Sequence, residues 1–459
     1  MMGTPTRKGV RKASVFFLTL LLSISSACVR PKIESYPAGI VFPLEEAGQV
    51  GFEGRINSAL VKGEDGRFYF STDTGHLYCL DVAAQQLIWH QTNPSPFGCP
   101  PLLSPERLFV WDQENTVFCY DLKGNTVWKT SLPDKISSPI SRDGERVYLG
   151  TGGDDFLALS QVTGEPLWRF RTKGAVAAPA VFFGDSVILG SGDGWVYLLS
   201  PKGAERKAID LGSAISAAPL VDGRRLYIGT DDFGFHCYDL ETMKRKWMIK
   251  GGGRLLVSPR ADEKRVYFQA SNSVLYALDK KGGNILWWWI APSRSAFELG
   301  LEGQGILATS RSPLLFSLER TSGKAVGSYE AKTEIRSNPV WAEPNLAVAV
   351  LDPTADRETI TFLRKKVKVE ILASPASPQP AGTEVTFTAE AAGFFRPKYE
   401  FFLRRGEERS VVQEAGEKNS WVWYADNEGS VAVGVRVSDE KQAKEAEIRF
   451  EISKKEKEK

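Results

Sequence analysis

Few side chains in this sequence have the type and spacing to do chemistry. The 459 residues include five cysteines and three histidines. Cys79, Cys99, Cys119 and Cys237 have no pair at the short spacing that holds zinc. Cys99 lies in a Pro-rich turn, and whether it joins another cysteine in a disulfide stays open at the level of sequence. His76, His90 and His236 read as non-equivalent positions in different structural units, an arrangement that does not gather a metal. Asp154-Asp155, Asp193 and Asp231-Asp232 fall in turn-like stretches, where Asp tolerates unusual backbone and caps N–H groups. No Gly-x-Ser-x-Gly elbow or phosphate loop occurs. The expectation is a non-catalytic protein with no cofactor and no metal.

One cysteine has a different context. Arg7, Lys8, Arg11 and Lys12 precede the apolar run Val15–Leu22, and Ser25-Ser26-Ala27-Cys28 follows. A basic start, a short apolar core and small residues are the parts of an export signal, and the core is too short to span a membrane comfortably. The site resembles a bacterial lipoprotein signal, which implies lipidation at Cys28, although Ser25 stands where that motif usually has Leu. Ser25-x-Ala27 also suits ordinary signal-peptidase cleavage, which would leave a free periplasmic or secreted protein. The expected layout is therefore a signal peptide over 1–27, a tether over 28–38 and contact with the membrane through an N-terminal lipid. Lys and Arg total 58 against 56 Asp and Glu, so no domain-scale basic excess exists to bind nucleic acid.

The elements that position everything else come from a repeat. Pro139, Pro179, Pro219 and Pro259 recur every 40 residues, with Pro339 two periods later. Trp89, Trp128, Trp168, Trp247 and Trp287 keep the same beat, as do Gly150, Gly190 and Gly229. One unit reads Ile136–Ile140, Arg146–Gly150, Phe156–Leu159 and Pro166–Phe170, with Asp143-Gly144, Gly152-Gly153-Asp154 and Thr163-Gly164 as turns. Four short antiparallel strands per period of about 40 residues make one propeller blade. Stacking blades covers apolar faces that one blade alone leaves open.

Ala158 to Trp168, with Thr163 and Gly164 between them, resembles the hallmark of the PQQ-type propeller repeat, with Ser160 in place of its Asp. Ala277, Asp279, Gly283 and Trp287 fit the same spacing; so do Cys79, Asp81 and Trp89, and Cys237, Asp239, Thr242 and Trp247. Cys119, Asp121 and Trp128 fit with one residue deleted, while the units near 198–209 and 317–327 are degenerate. Cys79, Cys119 and Cys237 thus take the small, buried position that Ala158 and Ala277 fill elsewhere. Unit starts near 56, 97, 136, 175, 214, 254, 295 and 335 predict an all-β, eight-bladed propeller over 39–365, with seven blades as the alternative count. The segment Gly39–Leu44 is expected to supply the missing strand of the last blade and so remove open edges.

The family includes quinoprotein dehydrogenases, which hold their quinone against a vicinal cysteine pair with calcium and a catalytic Asp. This sequence has no Cys-Cys pair and no Cys-x-x-Cys-His haem motif. Exported members without the quinone site resemble the propeller lipoprotein of the outer-membrane β-barrel assembly machinery. That resemblance implies a scaffold that binds proteins through its face loops, anchored to the outer membrane on the periplasmic side. A ligand-binding or adhesion role toward envelope sugars or peptides is the second reading, and a quinoprotein-like dehydrogenase the third. After Lys366 the period stops, and strands with the alternation of Val431, Val433, Val435 and Val437 predict an immunoglobulin-like sandwich over 366–453, then a charged tail over 454–459. In Trp287-Trp288-Trp289 the middle residue is expected to pack against a neighbouring blade, with an exposed contact residue as the alternative reading.

Overall fold

The structure is a computed structural model that describes residues 42–454, apart from 57–58, 295–296, 304, 343–344, 353, 355–356, 395, 425–427 and 440–441. Cys28, the signal segment and the tether lie outside the described residues. Every described element is a β-strand. Eight four-stranded antiparallel sheets form in sequence. Sheets one to seven span 61–92, 102–131, 141–171, 181–210, 220–250, 260–290 and 300–330. Sheet eight is built from both ends of this region. Val340–Ala342, Asn345–Asp352 and Arg357–Lys365 are joined by Leu44–Gly51, which pairs antiparallel with Arg357–Lys365.

Two details differ from the sequence expectation. The strand that completes sheet eight is Leu44–Gly51, and Gly39–Val41 lie outside the described residues. Its residues, LEEAGQVG, bury little and alternate weakly, so the pattern does not announce a strand. In sheet three the first strand is Ser141–Arg142 rather than Ile136–Ile140, and Ile136 makes only an isolated bridge to Thr151. Pro139 has no N–H to give a ladder, so pairing resumes after it.

The sheets are held face to face by a continuous series of apolar clusters. Tyr148, Phe156 and Ala158 of sheet three pack with Val187, Leu189 and Leu199 of sheet four. Equivalent sets join sheets four to five, five to six, six to seven and seven to eight. Phe68, Phe70 and Leu80 of sheet one pack with Ala347, Ala349, Ile360 and Phe362 of sheet eight.

The repeated tryptophans add a directional bond to this packing. Each follows a β-bulge in the fourth strand of its sheet. The indole N–H donates to a backbone carbonyl 33 residues on, in the last turn of the next sheet: Trp89 to Leu122, Trp128 to Gln161, Trp168 to Pro201, Trp247 to Lys280 and Trp287 to Arg320, all at 2.9–3.1 Å. A buried indole needs such an acceptor, because its N–H would otherwise lose water with no return. Two or three residues after each acceptor stands a left-handed glycine: Gly124, Gly164, Gly203, Gly283 and Gly323. A Cβ there would come within 2.4–3.0 Å of the indole. The hallmark Gly-and-Trp pair is therefore one contact split between two sheets.

Where the tryptophan is missing, the glycine changes too. Lys207 stands in the tryptophan position of sheet four, and the facing turn residue of sheet five is Met243, still left-handed, with its side chain packed against the Ile188 and Leu198 cluster. Gly48 takes that position in sheet eight, and left-handed Gln85 of sheet one lies over it. Gly327 takes it in sheet seven, and the ring of Phe42 covers it.

Beyond Lys365, two further sheets form. Lys368–Ser374, Glu384–Ala392 and Ser420–Tyr424 make one; Gln379–Pro380, Ala443–Ser453, Gly429–Ser438, Lys398–Arg405 and Glu408–Gly416 make the other. They share a core that includes Val385, Phe387, Phe401, Val433, Val435 and Phe450. Glu408–Gly416 is an edge strand with most side chains exposed, and so lacks the alternation that marks its neighbours.

Two alanine substitutions separate backbone strain from the indole contact. Gly184 and Gly164 both have positive φ, but a Cβ at Gly184 meets nothing within 4 Å. Gly184→Ala is expected to cost about 1 kcal/mol for the left-handed backbone alone. Gly164→Ala adds overpacking against Trp128 and is expected to cost about 3 kcal/mol. Chemical denaturation of both variants checks this, and equal losses would refute the indole's part.

Candidate functional site

The lead-in segment of every sheet converges on an internal space. One cavity of about 490 Å³ is lined by residues from all eight sheets, among them Pro100, Pro139, Pro179, Ala217, Ser258 and Asn338. A second of about 720 Å³ shares Ala59, Pro100, Pro139, Glu298 and Asn338, and adds Lys62, Asp222, Arg260, Pro339 and Trp341. The small residues and prolines have a local reason. A proline ends the lead-in before strand pairing starts, and Ser137 and Ser138 hydroxyls donate to the Val176 and Pro139 carbonyls. Ser258 does the same toward the Pro219 and Pro259 carbonyls. Pro219 and Pro259 thus mark the same segment from behind the cavity wall.

Acids enter this space already paired with cations, while Arg311 on its wall has no carboxylate partner among the described residues. Arg260 pairs with Glu298, and Lys280 with Asp222. Glu358 is fully buried and accepts from Arg336 Nε at 3.1 Å and from the Ile56 backbone N–H at 2.6 Å, tying sheet eight to the lead-in of sheet one. Burial raises the Glu358 pKa, while the Ile56 amide and Arg336 hold it down. Arg336 is shared with Glu334 at 3.0 Å.

The cysteines are away from this space. Cys79, Cys99, Cys119 and Cys237 are all buried and free. Burial raises the thiol pKa to about 11 at Cys79 and Cys119, to about 12 at Cys99, and upward at Cys237. Thiols held this high carry almost no thiolate at neutral pH and are poor nucleophiles. Among the described residues no group of three or more His, Cys, Asp or Glu is placed to hold a metal. The cavity walls hold no cysteine and their acids are already paired, so these residues do not fit the thiol pair and calcium carboxylates of a quinone site.

The histidines correct the sequence reading. His76 and His90 lie on neighbouring strands of sheet one, not in different sheets, with ring centroids 5.9 Å apart and Tyr78 beside both. The unit starts near 56 and 97 already enclose both residues. His76 Nε2 lies 3.3 Å from Glu53, and its Nδ1 lies 3.2 Å from the Thr92 hydroxyl. His236 is buried alone in sheet five, with Nε2 3.3 Å from the Thr230 hydroxyl and Nδ1 unpartnered. Asp154 is half-buried and faces Arg171, while buried Asp155 is ion-paired to Arg169 and Arg171. Asp193 accepts the Tyr197 hydroxyl at 2.8 Å and Asp231 that of Ser216 at 2.6 Å, while Asp232 pairs with Lys250. Each of these acids is engaged by a side chain of its own sheet.

The tryptophan triplet also differs from expectation. Trp287 is buried and Trp289 packs on Phe316, but Trp288 is 59% exposed, beside exposed Ile285, Leu286 and Ile290. Alternation puts the middle residue on the opposite face, and at the outermost strand of a sheet no neighbour reaches it. No helix among the described residues is long and apolar enough to cross a membrane.

Four-stranded sheets that each send one lead-in segment to a common cavity define a β-propeller repeat protein. Residues 45–131, 113–207 and 192–377 match the family described as outer membrane protein assembly factor BamB, and the chain belongs to this PQQ-type propeller-repeat family. Curated relatives of that name include one from Burkholderia pseudomallei, 32% identical over 147 residues, or 30% of this chain and 37% of the relative. Another from Bordetella pertussis is 28% identical over 113 residues, 24% of this chain and 29% of the relative. A third, from Nitrosomonas eutropha, is 22% identical over 128 residues, 28% and 31% of the two chains. These matches span about a third of each relative's length.

Among solved structures, BamB from Moraxella catarrhalis aligns with TM-score 0.59 at 14% identity, covering 70% of this chain and all of that one. The quinohemoprotein alcohol dehydrogenase from Comamonas testosteroni aligns with TM-score 0.57 at 12% identity, covering 72% and 78%. At such identities the likeness concerns the fold.

His236 gives the site a measurable pH signature. Burial, with help from nearby Arg245 and Lys250, lowers its pKa from 6.5 to about 4. The unfolded chain therefore binds this proton below pH 6.5 while the folded chain refuses it until about pH 4. Stability from this residue is complete above pH 6.5 and is lost as pH falls toward 4, by up to about 3 kcal/mol. In His236→Leu, the drop in melting temperature between pH 6.5 and 4 is expected to be smaller than in the parent protein; an unchanged slope would refute this.

Proposed function

We propose that this protein is a non-catalytic lipoprotein of the bacterial envelope that acts as a protein-binding scaffold in outer-membrane protein assembly. The observation that carries the reading is the family match across residues 45–377, joined by curated relatives that are named outer membrane protein assembly factor. The site supports it from the other side: the cavity's acids are each paired with a cation, and no reactive thiol among the described residues faces them. In this reading the sheets close into an eight-bladed propeller over 39–365, consistent with the packing of sheet one on sheet eight. The shared core of the two later sheets supports an immunoglobulin-like sandwich over 366–453, ahead of the charged tail at 454–459. Residues 1–27 act as the signal peptide, and lipid on Cys28 holds the tether at 28–38 to the outer membrane on its periplasmic side.

Two experiments test this. Affinity capture with the full chain from detergent-solubilised envelopes is expected to recover a component of the barrel-assembly machinery. Recovery of none, with binding to isolated cell-wall polymer instead, would favour a ligand-binding or adhesion role. Separately, Cys28→Ala is expected to move the protein from the membrane fraction to the soluble periplasmic fraction. Unchanged membrane retention would refute the lipid anchor.

A further inference from the structure

We infer that the lead-in segments of sheets six and seven dock an extended acidic segment of a protein partner through Arg254, Arg294 and Arg311. The inference rests on the scaffold reading and gives the partner's contacting segment a chemistry. Arg254 and Arg294 occupy the same place in consecutive sheets. The carbonyl of each accepts a backbone N–H from its own sheet's central hairpin, Ser271 to Arg254 at 2.9 Å and Arg311 to Arg294 at 3.5 Å. The second contact sets Arg311 beside Arg294. All three side chains are exposed, and among the described residues none has a carboxylate partner.

The acids nearby are engaged elsewhere. Glu298 is paired with Arg260, Asp232 with Lys250, and both Glu334 and Glu358 with Arg336. The hairpin between the two lead-in segments is the neutral Ser271-Asn272-Ser273. The place held by Arg254 and Arg294 is filled in sheets one to five and eight by Arg55, Pro96, Lys135, Ala175, Ala214 and Glu334, so two adjacent cations occur there only on sheets six and seven. The whole chain carries a net charge of only +2, and this sector is a local excess, not a share of a general one. Exposed guanidinium groups that repel each other and have no internal anion make a field that a partner's carboxylates discharge.

The layout favours a peptide over a single phosphate. The cations are spread over two sheets, whereas one phosphate needs donors that converge on a point. Carboxylates on one face of an extended strand recur every ~7 Å, and each is taken by the planar fork of an arginine. Just inside the same rim, half-buried Leu256 and Phe297 line the cavity with Arg311, and receive apolar side chains that alternate with the acids.

The test uses the full chain and a fluorescein-labelled peptide of about twelve residues, alternating Glu and Thr around a central Leu, with a Lys-for-Glu peptide as control. Anisotropy is expected to show salt-sensitive binding of the acidic peptide only. R254E/R294E/R311E is expected to weaken it at least about tenfold, while K129E/K207E/K244E, on exposed outer-strand lysines, leaves it unchanged. R254Q/R294Q/R311Q gives the same reading should the reversal fail to fold. Equal binding by parent and arginine variants would overturn the inference. So would the arginine variants losing affinity for phosphatidylglycerol-containing vesicles while the parent ignores the peptide, which would assign the rim to a membrane. Envelope capture separates the two levels: a barrel-assembly partner recovered equally by parent and R254E/R294E/R311E sinks this site alone. Peptide binding without any such partner sinks the assembly role alone.

Discussion

The rest of the structure depends on one contact, the indole N–H of one sheet meeting a turn carbonyl of the next. Apolar packing alone would press sheet faces together without fixing their offset, because it is non-directional. The indole bond is directional, and the glycine beneath the ring allows one close approach. Five such contacts run from sheets one, two, three, five and six into their successors. They act on the outer strands, while the lead-in segments define the inner cavity, so each sheet is fixed near both edges. Arg107 and Arg225 reach the same turn carbonyls as Trp128 and Trp247, which doubles the donor at those two junctions.

The three junctions without a tryptophan show that the contact is a pair rather than two separate signatures. Left-handed backbone persists at Met243 and Gln85, although each pays about 1–2 kcal/mol for carrying a side chain there. Their side chains fill the space that the ring occupies elsewhere. At sheet seven the space is filled from far off in sequence, by Phe42 over Gly327, next to the strand that completes sheet eight. The stretch 42–51 thus does two jobs: it pairs with Arg357–Lys365 and covers the bare position beside it.

Much of this was legible in the sequence because the contact involves rare residue types at a constant period. Trp and Gly mark it, and Pro marks the lead-in. What was not legible follows from the same physics. Leu44–Gly51 has a half-exposed edge position, so its residues carry no strong alternation. Glu408–Gly416, an edge strand with most side chains exposed, carries no strong alternation either. Lys207, Gly48 and Gly327 broke the tryptophan beat, and only the facing residue shows that the junction is still filled. His76 and His90 both fall in the unit that starts near 56, so their shared sheet was legible, and only the pairing of Tyr78 with His90 that brings the rings together needed the structure. Trp288 read as packed because a strand at the outer edge of a sheet and one inside it look alike in a single sequence.

The site was legible mainly by exclusion, and the structure explains why. A fold whose side chains are used at sheet junctions leaves chemistry-bearing types in structural posts. Buried thiols replace alanine, aspartates cap turns, and the cavity's acids neutralise its own arginines. Catalysis needs groups held ready and unsatisfied in the resting protein. In this cavity the acids have already found cations. Unspent interaction lies instead on the surface, in exposed guanidinium groups without anions and in the apolar row at Trp288 and Ile290 on an outer strand. Such surfaces gain free energy only when another molecule supplies the missing half.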